Sequence, residues 1–361
     1  MAVTTTVADQ NNFVIGGVDT HKDVHVAAAL SSIGRELGTQ SFPTTPRGYQ
    51  ELLDWLESFG TLLKVGVEGT SSWGAGLSRF LSQIGTQVVE VNCSNRQNRR
   101  RKGKSDPTDA IAAAKAVISG DATATPKSKD GAVESLRMIK MTLRSAVNSR
   151  TQAANQIHSI IDTAPDSVRE QWRNLSMTAL CRQASHCRAR GNIDSPTTAA
   201  KFSLRVLAKR WLALSDEIKE LKAQQSELVH RTAPELTDAV GIGDDVAATL
   251  LITFGDNPKR CATEAGFAAL CGVSPMDASS GKRQRHRLNK GGDRLANAAL
   301  WRIVIVRLRY DAETQAYMQR RLTEGKTKRE VIRCLKRHVA RQIWKTMNPT
   351  VQIDEKRPTA A

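Results

Sequence analysis

The chain has 361 residues, more than one ordinary hydrophobic core needs, and a composition of 40% apolar and 25% charged residues that suits two or three globular domains. Its formal net charge of +17 directs attention to polyanions. No apolar run approaches the roughly 18 residues that span a bilayer, and MAVTTTVADQNN lacks the charged and apolar regions of a signal peptide, so no membrane partner is expected and the cytoplasm is the expected compartment.

In chain order, Phe13 to Val18 is a short apolar run ending at Asp19, and Val24 to Leu30 is a second. The polar Thr20-His21-Lys22-Asp23 between them predicts a β-hairpin with Asp19 at the end of its first strand. Thr45-Pro46 has the form of an N-cap followed by proline at the first helical position, and Leu52, Leu56 and Phe59 follow at helical spacing up to Gly60. Lys64 to Gly69 predicts another strand with Glu68 at its carboxyl end. A helix through Leu77, Leu81 and Ile84 and a strand over Gln87 to Val91 come next. Strands interleaved with helices predict an α/β sheet, whose ligands gather beyond the carboxyl ends of the strands, where Asp19 and Glu68 lie.

A basic run from Asn95 to Lys104 precedes Ser105, the expected N-cap of an Ala-rich helix carrying Asp106 and Asp109 on one face. Aspartates also favour helix N-termini on electrostatic grounds alone. Four acids at two strand ends and one helix face nevertheless fit a carboxylate pocket for cations, most naturally Mg²⁺.

The polar stretch from Thr123 to Asp130 marks a domain boundary, after which the pattern turns helical. Leu136, Ile139, Leu143, Ala146, Ala153, Ile157 and Ile160 step by three and four. A cleaner series runs through Leu204, Leu207, Trp211, Leu214, Ile218, Leu221, Gln225 and Leu228, which predicts a coiled coil or a long helical hairpin. Spacing leaves open whether its apolar partner is the same chain or another. Pro165 to Ala200 is the expected hairpin connection. Val240-Gly241-Ile242-Gly243-Asp244-Asp245 before an apolar helix reads either as a phosphate-binding helix–hairpin–helix turn or as an ordinary glycine turn.

Further on, GFAALCGVSPMDASSGKRQRHRLNKGGDRLANAAL sets Ser279 and Ser280 before Gly281 and then places Lys282, Arg283, Arg285, Arg287, Lys290 and Arg294 along the following positions. From Lys282 to Lys345 there are 19 Lys/Arg against 5 Asp/Glu, so most of the excess charge sits there and points to nucleic acid. A hydroxyl beside dense positive charge suits phosphoryl transfer on a polyanion, and a solvated basic loop is the plain alternative. Trp301, Ile303, Val306 and Leu308, and then Val331, Ile332, Leu335, Val339 and Ile343, predict amphipathic helices with basic faces. The tail from Asn348 is expected to be disordered. The resulting partition is 1–125, 126–235, 236–345 and a tail, 346–361.

Taken together, GGVDTHKDVH, GVEGTSSWG, GKSDPTDA and GVSPMDASSGKRQRHRLNKGGDRLANAALW resemble the transposases of the insertion-sequence family one-ten, the DEDD-type recombinases related to the Piv invertase. RHRLNKGGDR and EGKTKREVIRCLKRHVAR are most similar to the actinobacterial branch. The resemblance implies a RuvC-like, ribonuclease-H-type α/β domain in which Asp19, Glu68, Asp106 and Asp109 bind Mg²⁺. It implies a helical coiled-coil insert and a mainly α C-terminal transposase domain with a nucleophilic serine, carried to Ser280 with Ser279 as second choice. It also implies donor and target DNA, a structured bridge RNA as guide, and a homo-oligomer, dimer to tetramer.

Two rivals stand beside this reading: a junction-resolving nuclease of the same fold in which water attacks, and an inactive nucleic-acid-binding protein. The six cysteines show no CxxC pair, so buried thiols are expected rather than disulfides. Cys181, His186 and Cys187 lack the second ligand pair of a zinc finger.

Overall fold

The computed structural model describes residues 13–92, 105–281 and 286–348, without the side chains of Pro258 and Lys259. The chain divides into two compact units, 1–131 with 254–262, and 132–253 with 263–361.

The first unit is built on a mixed five-stranded sheet of order β3-β2-β1-β4-β5. Its strands are β1 (Phe13–Thr20), β2 (Val24–Ser31), β3 (Glu36–Pro43), β4 (Thr61–Glu68) and β5 (Gln87–Val91). The predicted hairpin is present, with β1 and β2 antiparallel. β3 carries no strand signal in the sequence, because ELGTQSFP is polar and contains a glycine; as an edge strand it is largely exposed and needs no apolar face. β4 joins β1 in parallel, and β5 joins β4 in parallel.

Two helices, α1 (Pro46–Glu57) and α2 (Ala75–Gln83), cover one face of the sheet. Leu52, Leu53, Leu56, Leu77 and Leu81 pack there on Val14, Val18, Val65 and Val67. Thr45 caps α1 as expected, its hydroxyl accepting from the Gly48 N–H. The helix stops at Glu57, before Phe59, whose ring instead stands edge-on to Trp55 at 5.1 Å.

A third helix, α3 (Asp106–Ile118), covers the opposite face, with Ala110 and Ala114 against Ile15, Val26, Ala28 and Leu30. It lies very close to β1. A Cβ on Gly17 would fall 2.2 Å from the Ala110 carbonyl oxygen and 2.4 Å from the Ala114 nitrogen. Only glycine allows this approach, and it brings the N-terminus of α3 down onto the end of β1.

The second unit is helical. α4 (Ala132–Thr163) and α7 (Pro196–Thr232) form the long hairpin, and α5 (Asp166–Trp172) and α6 (Met177–Ser185) fill the connection between them. Leu204 and Ala208 pack with Ile157, Ile161, Trp172 and Leu180. Further along, Ile218 packs with Leu143 and Ala146, with Leu214 and Leu221 alongside. The apolar seam of α7 therefore takes its partner from the same chain.

Next come α8 (Pro234–Thr237), α9 (Asp244–Phe254) and α10 (Glu264–Leu270), then a short hairpin of β6 (Met276–Asp277) and β7 (His286–Arg287). α11 (Arg294–Tyr310), α12 (Ala312–Thr323) and α13 (Lys328–Met347) close the unit. α13 buries Val331, Leu335, Val339 and Ile343 as predicted, and it ends at Met347. On α11 the buried face is Ala296, Ala299, Leu300, Ile303 and Val304, whereas Trp301 is 48% exposed. At about 100° per residue Trp301 falls off that stripe.

Candidate cation site and basic serine loop

β1 and β4 run in parallel with Val18 beside Val67, so Asp19 and Glu68 end adjacent strands. Side chains alternate along a strand, and Cβ atoms on Gly17 and Gly66 would both meet α3. Asp19 and Glu68, two residues further along, therefore share the α3 face. There Asp106 and Asp109 occupy the first turn of α3, where the positive end of the helix favours them. Ser105 is the N-cap residue, but its hydroxyl pairs with Thr108 Oγ1 at 2.7 Å instead of capping the backbone.

His21, a turn residue of the β1–β2 hairpin, completes the cluster. Its Nε2 atom lies 3.2 Å from Asp19 Oδ2 and 3.3 Å from Asp106 Oδ1. That nitrogen is buried and lies at ion-pair distance from both carboxylates. One ligand atom each from Asp19, His21 and Asp106 lies within 4.8 Å of the others. An imidazole nitrogen and two carboxylate oxygens this close together are a donor set that suits a divalent cation of oxygen and nitrogen preference. Burial raises the Asp19 carboxyl above its ordinary range. His21 opposes the rise, and the neighbouring charges of Asp109 and Asp106 add to it.

Asp106 and Asp109 thus lie near enough to act on Asp19, and Glu68 borders the same face. His21 is absent from the expected set because a histidine in a polar turn carries no periodic signal. Its position two residues after Asp19 is the one hint the sequence offers.

The serines belong to the second unit. β6 and β7 frame their loop, and Gly281 adopts a positive φ of 53°. Ser279 donates its hydroxyl to Asp277 Oδ1, which also accepts the Ser279 backbone N–H at 2.9 Å. These bonds, with the Ser279 hydroxyl foremost, hold the Asp277 carboxyl below its ordinary range. Ser280 is exposed beside it. Arg287, Lys290 and Arg294 are exposed, whereas Lys282, Arg283 and Arg285 lie outside the described residues, as does the basic run from Asn95 to Lys104.

The downstream side of the loop is anchored tightly. A Cβ on Gly292 would fall 2.3 Å from the Gly272 nitrogen. Asn289 donates to the Ala269 carbonyl at 3.1 Å, and Asn297 donates to the Cys271 and Gly272 carbonyls at 3.0 Å. Asp293 caps α11 and accepts from Thr253 Oγ1 at 2.9 Å. The glycine-rich Asn-Lys-Gly-Gly-Asp stretch is therefore a structural brace for the basic loop.

The Gly241 turn packs against α11. Gly241 has φ 85° and sits against Ile303, and Arg307 donates to the Val240 carbonyl at 2.8 Å. Lys140 and Arg302 occupy the Asp245 carboxylate. The five described cysteines, Cys181, Cys187, Cys261, Cys271 and Cys334, are free thiols. Among the described residues no helix is long and apolar enough to cross a membrane.

These features define an α/β unit with an acidic cluster at the carboxyl edge of its sheet, followed by a helical unit bearing a serine-containing basic loop. A family model described as transposase, of the DEDD IS110 type, matches residues 16–164. A second, described as transposase of the IS116/IS110/IS902 family, matches residues 233–319. The chain belongs to the IS110 family of transposases.

Among curated proteins it is similar to the insertion element IS110 uncharacterized 43.6 kDa protein of Streptomyces coelicolor, 31% identical over 34% of this chain and 30% of the relative. It is also similar to the insertion element IS900 uncharacterized 42 kDa protein of Mycobacterium paratuberculosis, 27% identical over 38% of this chain and 35% of that relative. The matched stretches thus span about a third of these relatives.

Proposed function

We propose that the protein is a DNA transposase with a RuvC-like first domain, which cleaves and rejoins strands at the ends of its own element. The observation that carries this reading is the clustering of Asp19, Asp106 and the His21 Nε2 nitrogen at the sheet edge, in a chain matched by two transposase models. Asp19, Asp106 and His21 would hold the cation, with Glu68 and Asp109 completing the acidic wall. Bound Mg²⁺ supplies Lewis-acid stabilisation of the charge that develops on the scissile phosphate.

Ser280 is the nucleophile in this reading. Its attack forms an Oγ–phosphorus bond and breaks a phosphorus–oxygen bond of the strand. The leaving deoxyribose oxygen takes up the proton that serine gives up. The phosphoserine link conserves the ester for rejoining. Ser279 is the second choice, favoured by one observation: its hydroxyl already donates to a carboxylate, as a nucleophile does to a base. Arg287, Lys290 and Arg294, together with Lys282, Arg283 and Arg285, would bind backbone phosphates. Guidance by a bridge RNA and assembly into dimers or tetramers rest on the family resemblance.

The test is a strand-exchange assay on DNA carrying the element's ends. Asp106→Asn and Ser280→Ala should each abolish exchange while leaving DNA binding intact, because neither removes positive charge. The covalent protein–DNA adduct trapped with the wild type should vanish in Ser280→Ala and persist in Ser279→Ala. If both serine variants still cut DNA while Asp106→Asn does not, water is the nucleophile and the junction-resolving nuclease replaces this reading.

A further inference from the structure

Beside the cation cluster stands an aromatic side chain that the chemistry above does not use. Trp73 lies in the connection between β4 and α2 and is 55% exposed, the most exposed tryptophan among the described residues. Its ring centroid is 6.3 Å from that of His21, the planes tilted by 41°. His21 in turn touches Asp19 and Asp106, so the indole neighbours the acidic site through His21.

The turn that presents Trp73 is rigid. The Gly69 carbonyl accepts from the Ser72 N–H at 2.8 Å, the Ser72 hydroxyl at 3.1 Å and the Gly74 N–H at 3.1 Å. Gly69 has a φ of 68°, which a side chain would strain, and a Cβ on Gly74 would fall 2.9 Å from the Glu68 carbonyl oxygen. Thr70 is buried and donates to Glu90 Oε1 at 3.0 Å, while Thr20 Oγ1 donates to the Glu68 carbonyl at 2.9 Å. A large indole held out in water by a braced turn adds little to any core.

We propose that Trp73 is a base-stacking platform: its indole takes the face of an unpaired nucleobase next to the phosphate engaged at the Asp19–Asp106 cluster. The inference rests on the strand-cleaving reading above and names the form of substrate that the site prefers. A flat apolar face beside a site for phosphate-bound cations matches a nucleotide, which joins a phosphate to a π surface. Stacking of this kind is indifferent to sequence, since every base has such a face. Bases inside a duplex are already stacked on both sides, so the platform selects a frayed, flipped or single-stranded nucleotide. Trp73 is then a positioning residue that sets which phosphate reaches the carboxylates.

The experiment uses the full chain with Mg²⁺ and labelled DNA of one sequence, single-stranded or fully paired, in fluorescence anisotropy. Trp73→Ala should weaken single-strand binding about tenfold, Trp73→Phe should retain most of it, and duplex affinity should not change. In a series of single abasic substitutions, wild type should lose affinity at one position, and that loss should disappear in Trp73→Ala. Exposure of the side chain predicts unaltered hydrogen-exchange protection of β4 and α2 in both variants, which separates stacking from misfolding.

Equal single-strand affinity for wild type and Trp73→Ala, or equal losses on both DNA forms, overturns the proposal. If wild type cleaves in a metal-dependent manner while Trp73→Ala binds like it, only the stacking role falls. If wild type neither binds nor cleaves DNA, the transposase reading fails and takes the stacking role with it.

Discussion

His25 is fully buried beneath the end of the sheet that carries Asp19, opposite Thr20 in the β1–β2 ladder. Its ring stacks on Tyr49 at 5.7 Å with planes 8° apart, and neither ring nitrogen has a hydrogen-bond partner among the described residues. Burial drives its pKa down from 6.5 to about 4. The folded protein therefore releases this proton near pH 4, whereas the unfolded chain releases it near 6.5. Between those values the unfolded state binds more protons, so stability rises with pH. The neutral buried ring adds no pH-dependent cost above 6.5. Stability is lost as pH falls from 6.5 toward 4, and the loss is constant below. At about 1.4 kcal/mol per pH unit the full loss is roughly 3 kcal/mol.

His25→Phe keeps the stacking and removes the titration. Apart from His21, whose charge acts on His25, the remaining groups titrate alike in both proteins, so the stability difference between variant and wild type reports chiefly on His25. It should grow by roughly 3 kcal/mol between pH 7.5 and pH 4. Because two units unfold in one chain, a single bulk transition is a poor measure. Native-state hydrogen exchange at the Ala27 and Ala28 amides of β2 reads the relevant unit directly. A difference that stays flat across that pH range would refute a buried neutral histidine.

Gly17→Ala should force α3 off β1, costing about 1–3 kcal/mol or more and weakening cation binding by calorimetry, since Asp106 and Asp109 ride on α3. His21→Ala should reduce Mn²⁺ affinity more than Mg²⁺ affinity, because imidazole nitrogen matters more to the softer ion, and equal losses would argue against nitrogen ligation. Leu204→Ala should cost about 2–5 kcal/mol in stability while leaving the mass in light scattering unchanged, because its seam is filled within the chain. Replacing both Arg287 and Lys290 with Ala should flatten the slope of log affinity against log salt by about 0.9 for each duplex phosphate that is no longer neutralised, and an unchanged slope would place these side chains off the DNA.

Local chemistry made several elements legible in the sequence. Two apolar runs around Thr-His-Lys-Asp favour a hairpin, Thr45-Pro46 favours a helix start, and the three- and four-residue steps from Leu204 onward favour a long helix with one apolar face. Asp19, Glu68 and Asp106 at element ends followed from the same local rules.

Other features were settled by distant contacts. β3 exists because β2 offers it an open edge. The partner of the α7 seam is α4 because Ile218 and its neighbours bury their apolar surface against Leu143 and Ala146 once the chain folds back. His21 joins the acids because Gly17 lets α3 descend onto β1, and Trp73 borders them because the turn after Glu68 is tied to Thr20 and Glu90. Periodicity encodes which face of an element is apolar, whereas a site assembled from a turn, a helix start and two strand ends depends on packing distances that no single stretch of sequence contains.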